Sequence, residues 1–231
     1  MERHVLAVYP HPDDESFGKA GTLALYTKSG TPVTLICGTL GQMGRNMGKP
    51  FFANRETLPA LREQELRDAC EVLGIKDLRL LRLRDKTLEF EDPDTLADHI
   101  EKVIREVKPS LVITYYPRHG VHPDHNAMAA ATVRAIERLG AKERPVLWGS
   151  PVTKNAREEL GPPDVVNDVS RVLETKFAAI RAHKSQSQAM LQGFEQRMQT
   201  DPEFKAEYIR NMSQESYWIV PVEQARLSKP G

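Results

Sequence analysis

Short apolar runs alternate with segments whose apolar residues recur at helical spacing over most of this chain. Val5-Leu6-Ala7-Val8-Tyr9, closed by Pro10, reads as a buried strand. From Asp14 onward Phe17, Ala20, Leu23 and Ala24 fall at helical spacing. Pro32 to Cys37 reads as a second strand. The spacing predicts a long helix over 55–73, with Leu61, Leu66, Ala69, Cys70 and Leu73 on one face and Gly74 as its stop. Leu78 to Leu83 reads as a strand, Pro93 to Val107 as a helix and Leu111 to Tyr115 as the clearest strand of all. A helix from about Pro123 to Leu139 and a strand from Pro145 to Trp148 follow. Past Arg157 the pattern gives a short strand at Val165-Val166, helices over 172–183 and 187–198, and a late edge strand at Tyr217 to Val220.

Strands alternating with helices imply right-handed crossovers and a mostly parallel sheet flanked by helices. The expectation is an α/β chain with a mixed C-terminal edge and a single domain over 1–231. Lys plus Arg and Asp plus Glu number 32 each, so the net charge is zero and no basic stripe invites nucleic acid. The apolar runs fall short of the ~18 residues a membrane span needs. The first residues lead straight into a strand with no signal-peptide core, which points to the cytoplasm. Cys37 and Cys70 belong to no ligand pattern and are expected as buried free thiols.

Two turns carry the chemistry. The first strand runs into His11-Pro12-Asp13-Asp14-Glu15, and the strand ending at Tyr115 runs into His122-Pro123-Asp124-His125. One carboxylate in each turn would be ordinary helix-capping chemistry. Capping explains neither His11 nor the second Asp, and it does not explain why the pattern occurs twice. In open α/β sheets the carboxyl edge of the strands is where ligands bind. Imidazoles and carboxylates gathered there call for a divalent cation. Catalytic zinc takes three protein ligands and keeps a position open. His11, Asp14 and His125 supply such a set and leave Asp13 and His122 beside it. The carboxylate of Asp13 can then accept a proton from water and pass it on, and a protonated His122 can stabilise an oxyanion. Asp124 either orients a ligand histidine or caps its helix.

The two turns closely resemble the signature motifs of the LmbE-like, or PIG-L, zinc-dependent N-acetylglucosaminyl deacetylases. The resemblance extends to Gly38-Thr39-Leu40-Gly41, Arg62 and His183-Lys184-Ser185-Gln186. It implies a Rossmann-like fold, one Zn2+ per chain held by His11, Asp14 and His125, Asp13 as general base and His122 stabilising the tetrahedral intermediate. It also implies that Arg62 helps hold substrate and that the chain self-associates as a homo-oligomer. The residues do not separate zinc from iron(II). Within the family, the compact size and the Gly41-Gln42-Met43-Gly44-Arg45-Asn46-Met47-Gly48 loop look most like the bacillithiol-biosynthesis deacetylases, which hydrolyse N-acetylglucosaminyl malate. Gln42 stands where many relatives carry Glu, and Gly120 where some carry Tyr; Tyr116 or a residue further on would replace that helper.

A malate conjugate carries two carboxylates, which guanidinium forks suit. Arg45, Arg55, Arg62 and Arg118 lie on loops or the helix bordering the predicted site, although all except Arg62 also read as solvated surface residues. The Gly38–Asn54 stretch reads equally as a substrate lid or a surface loop. His183, at a helix end, is expected in a structural role near the site. The alternatives to malate are another amino-sugar conjugate, such as a chitooligosaccharide or a thiol-sugar, or a non-catalytic metal- or sugar-binding protein.

Overall fold

The computed structural model describes residues 2–222, and its backbone follows the alternation. Strands β1 (Val5–Tyr9), β2 (Val33–Thr39), β3 (Asp77–Leu83), β4 (Leu111–Tyr115) and β5 (Val146–Ser150) run parallel. Helices α1 (Asp14–Lys28), α2 (Leu58–Leu73), α3 (Pro93–Val107) and α4 (Pro123–Glu137) connect them. The expected mixed edge is present: β7 (Gln214–Ile219) pairs antiparallel with β5 and with β6 (Val165–Asp168).

All residues of β1, β2 and β4 are buried, as a parallel sheet covered on both faces requires. Side chains alternate between two cores. Val5, Ala7, Tyr9, Ile113 and Tyr115 meet Leu23, Leu66 and Ala179, from α1, α2 and α6 (Leu173–Ala182). Leu6, Val8 and Val112 meet Ile100, Met128 and Ile136, from α3 and α4.

The sheet order is β3-β2-β1-β4-β5-β7-β6. The chain therefore leaves β1 in one direction and returns, through α3, on its other side. α1 and α4 consequently cover opposite faces, and the carboxyl ends of β1 and β4 border the crevice at the switch point.

The helix expected over 55–73 starts at Leu58, because Asn54 Oδ1 accepts from the backbone N–H of Glu56 (2.9 Å) and Thr57 (3.0 Å) and holds a turn there. The helix expected over 187–198 is longer, α7 (Lys184–Thr200). The short α5 (Ala156–Leu160) and α8 (Pro202–Met212) were not anticipated. α8 buries no residue fully; Phe204 and Tyr208 pack on Phe194 of α7. Cys37 and Cys70 are buried free thiols. Among the described residues no helix is long and apolar enough to cross a membrane.

Candidate metal centre and active site

The two His-Pro-Asp turns meet across the β1–β4 crevice. The His11 ring centroid lies 5.0 Å from His122 and 5.3 Å from His125. His11 Nδ1 stands 3.4 Å from Asp14 Oδ2, and His125 Nε2 stands 3.4 Å from Asp14 Oδ1. These three side chains, only 12%, 8% and 11% exposed, bring a donor atom each close together. Asp14 is fixed by the His11 backbone N–H on Oδ2 (2.9 Å) and the Tyr115 hydroxyl on Oδ1 (2.6 Å).

The far side of His11 faces carboxylates. Its Nε2 lies 3.1 Å from Asp124 Oδ2 and 3.2 Å from Asp85 Oδ1. Burial alone would lower the His11 pKa, but Asp124, Asp14 and Asp85 together raise it well above the usual imidazole value. The field that favours a proton there favours any cation. Burial works against ionising Asp14 too, yet His11 and His125 hold its carboxyl far below the ordinary range.

Asp13 sits in a backbone conformation rare for a side-chain-bearing residue, φ 116° and ψ −25°. Both of its ends are clamped. Arg62 donates to Asp13 Oδ2 (2.9 Å), to Gly41 O (3.1 Å) and to Pro12 O. Glu15 Oε2 accepts the Asp13 backbone N–H (3.1 Å), and Glu15 Oε1 meets His183 Nε2 at 2.7 Å with both side chains fully buried. Burial pushes the Asp13 carboxyl up to about 6; Arg62 opposes that rise. His183 is charged more readily than a free imidazole, because Glu15 outweighs the burial that disfavours it. Through Glu15, His183 is linked to the turn that carries Asp13.

Arg62, expected to help hold substrate, is 4% exposed; its two terminal nitrogens donate to the Asp13 turn and the Gly41 turn, and its Nε is buried without a partner. At Gly41, φ +59°, an added Cβ would fall 1.9 Å from Arg62 Nη1, so the glycine is what lets the guanidinium through.

His122 caps α4: its Nδ1 accepts the Asp124 backbone N–H at 3.1 Å. Burial lowers its pKa, with His11 adding to the effect. Both effects favour the neutral imidazole, with its proton on Nε2, over the protonated ring expected from sequence. Asp124 accepts from Lys86 N (2.8 Å) and Leu88 N (3.1 Å) besides facing His11, so it orients a histidine and does not cap its own helix. Gly120 allows close passage of the β4–α4 loop: a Cβ there would lie 2.6 Å from His125 Cβ. The Tyr of some relatives does not fit this path, and Tyr116 packs on His119 (ring centroids 5.5 Å).

Among the described residues, two sets of side chains have donor atoms close enough for one metal: His11, Asp14 and His125, and His11, His122 and Asp124. In the second set Asp124 and His122 Nδ1 are engaged with backbone N–H groups. In the first, the Asp14 carboxylate lies between the two imidazoles, with one oxygen 3.4 Å from His11 Nδ1 and the other 3.4 Å from His125 Nε2. The hard carboxylate and the imidazoles suit a divalent metal such as zinc. The residues present fit the group.

A family model described as PIG-L, GlcNAc-PI de-N-acetylase, matches residues 6–136, a span holding both turns. The chain belongs to the PIG-L family. A relative from Bacillus cereus named "Probable N-acetyl-alpha-D-glucosaminyl L-malate deacetylase 2" is 60% identical over 192 residues, 83% of this chain and 87% of that protein. The protein of that name from Bacillus subtilis is 51% identical over 218 residues, 94% of this chain and 97% of its own length. The solved N,N'-diacetylchitobiose deacetylase from Pyrococcus horikoshii superposes with a TM-score of 0.75 at 22% identity, over 99% of this chain and 88% of that one, which establishes a shared fold. Hydrolysis of an N-acetyl amide, expected from the two turns, is the activity these relatives are named for.

Beside the centre, a groove of about 1210 Å³ opens at His122 and runs along α4, with Arg118, Tyr116, Val121 and Leu88 on its walls. Arg118 and Arg45 are both exposed, the latter on the Gly- and Met-rich loop. That loop is tied down near the site: Met43 N donates to Asp85 (2.8 Å), Arg55 to Gly44 O (2.7 Å) and Gln42 to Leu83 O (3.2 Å). Its outer part exposes Phe51 (83%) and Phe52 (49%). Sequence reasoning missed Asp85, Glu15 and Tyr115 as parts of the site. Glu15 follows the ligand directly and Tyr115 ends a buried strand, both readable signals, whereas Asp85 sits in a turn with no motif around it.

Proposed function

We propose that this PIG-L protein is a zinc deacetylase that hydrolyses N-acetylglucosaminyl malate to glucosaminyl malate and acetate, the reaction of bacillithiol biosynthesis. His11, Asp14 and His125 would hold the metal. When bound, it supplies Lewis acidity to a water and to the scissile carbonyl. Arg62 occupies Asp13 Oδ2, so Oδ1 is the oxygen left to take a proton from the attacking water and return it to the leaving amine. A carboxyl whose pKa burial has pushed up to about 6 is suited to both transfers near neutral pH. The neutral His122, with Nδ1 held by the backbone, turns an Nε2–H toward the developing oxyanion. Exposed Arg45 and Arg118 would meet the malate carboxylates.

The observation that carries this reading is the joining of the His11, Asp14 and His125 donor set to a clamped, proton-hungry Asp13 across one crevice. The malate assignment draws its support from the names of the Bacillus relatives. The free buried thiols accord with a cytoplasmic site, and self-association carries over from the resemblance. Acetate release from N-acetylglucosaminyl malate and from N-acetylglucosamine, with metal quantified on the same sample, tests it. The expected result is about one metal per chain and a strong preference for the malate conjugate. Asp13→Asn should keep its metal and lose ~10²–10⁴-fold in kcat. Metal without hydrolysis of any acetylated sugar would replace this reading with a binding protein.

A further inference from the structure

We infer that Tyr115 is the positioning residue of the metal centre, holding Asp14 with its hydroxyl and His125 with its ring. The inference rests on the metal-centre reading above. Asp14 comes from the turn after β1 and His125 from α4, on opposite faces of the sheet, so something must fix their relation. Tyr115 touches both. Its Oη donates to Asp14 Oδ1 at 2.6 Å, and its ring stacks on His125 at 4.1 Å between centroids with 11° between planes.

Each contact supplies what its ligand otherwise lacks. Asp14 Oδ2 is held by the His11 backbone N–H, and without a donor on Oδ1 the carboxylate can swing about that single bond. Ligand imidazoles are usually oriented by a hydrogen bond on their second nitrogen. His11 has two carboxylates for this, but His125 Nδ1 is buried with no partner. The stack on Tyr115 does for His125 what Asp85 and Asp124 do for His11. Tyr115 is itself immobilised, 7% exposed and braced edge-on by Tyr9 at 5.4 Å. The parallel register pairs Ala7 with Ile113, which sets these tyrosines side by side at the strand ends.

Tyr9 provides a matched control, since its hydroxyl is equally buried but has no hydrogen-bond partner. Zinc affinity would be measured by competition with a chromophoric chelator on metal-stripped full-length wild type, Tyr115→Phe, Tyr115→Leu and Tyr9→Phe, alongside thermal unfolding of each metal-free form. We expect Tyr115→Phe to bind zinc ~10-fold or more weakly, in the range found for outer partners of metal ligands, and Tyr115→Leu more weakly still. Tyr9→Phe should bind as wild type does. Wild-type affinity in Tyr115→Phe overturns the inference, as does an equal loss in Tyr9→Phe, which would mark a general effect of the core. A Tyr115→Phe chain that does not fold also overturns it, making Oη a determinant of the fold. Failure of wild type to bind zinc at all would instead refute the metal centre itself.

Discussion

Replacing Arg62 with Met removes donors to Gly41 O, Pro12 O and Asp13 Oδ2 from the floor of the site at once. Gly41 O keeps the Gly44 backbone N–H at 3.0 Å, so Pro12 O is the carbonyl left without a donor, at a cost of ~1–3 kcal/mol. The Asp13 contribution is limited by its own chemistry. Burial has already pushed that carboxyl to about 6 against the pull of Arg62. Without the guanidinium its pKa rises further, and Asp13 takes up a proton instead of remaining an unpaired charge. At ~1.4 kcal/mol per pKa unit, the added loss is at most about 1.4 kcal/mol at pH 7 and about 2.7 kcal/mol at pH 8. The sign follows from proton linkage. A raised native pKa means that the folded state binds more protons, so wild type loses stability from about pH 4 to about pH 6 and then levels off. The variant goes on losing stability above pH 6. Urea denaturation of chelator-treated protein at pH 5, 7 and 8, with no metal competing for Asp13, reads the difference directly. The gap between wild type and Arg62→Met should be a few kcal/mol at pH 5 and wider at pH 8. A gap unchanged with pH would show that Arg62 is not the counter-ion of Asp13. A gap below about 1 kcal/mol at pH 5 would refute the anchoring of the Pro12 carbonyl.

Gly120→Ala should destabilise the metal-free protein by ~1–3 kcal/mol in urea, because its Cβ would fall 2.6 Å from His125 Cβ at the start of α4. Gly18→Ala, within α1 where a Cβ meets nothing within 4 Å, should stabilise it by ~0.5–1 kcal/mol in the same assay. Burial brings Lys19 down to about 8 while Glu215 pulls it up. Between about pH 8 and 10.4 the folded state has therefore released a proton that the unfolded chain keeps, and wild type gains stability with pH. Relative to Lys19→Met, denaturation should show a gain of roughly 1–3 kcal/mol across that window; a flat difference would refute the assignment.

The sequence by itself determined the strands, the helices that connect them and the two His-Pro-Asp turns, because apolar period and turn chemistry are local properties. Pro93–Val107 and Leu111–Tyr115 agree with the pattern to the residue. It failed at α8, whose Phe204 and Tyr208 pack on Phe194 of α7 at the edge of the fold. Tertiary structure alone decided that β1 and β4 are neighbours, a consequence of the crossover through α3 that brings His11 and Asp14 against His125. It also decided what each charge does. Arg62 reads as a substrate contact in sequence, and in the fold it is buried and ties the Asp13 turn to the Gly41 turn through three acceptors. His122 reads as a cation and is neutral, since a backbone N–H occupies its Nδ1 and burial disfavours charge. Asp85 carries no motif and reaches His11 only because the chain folds back from β3. Residue type and spacing name the chemistry available, but protonation and hydrogen bonding depend on neighbours distant in sequence, and the packed sheet supplies those neighbours.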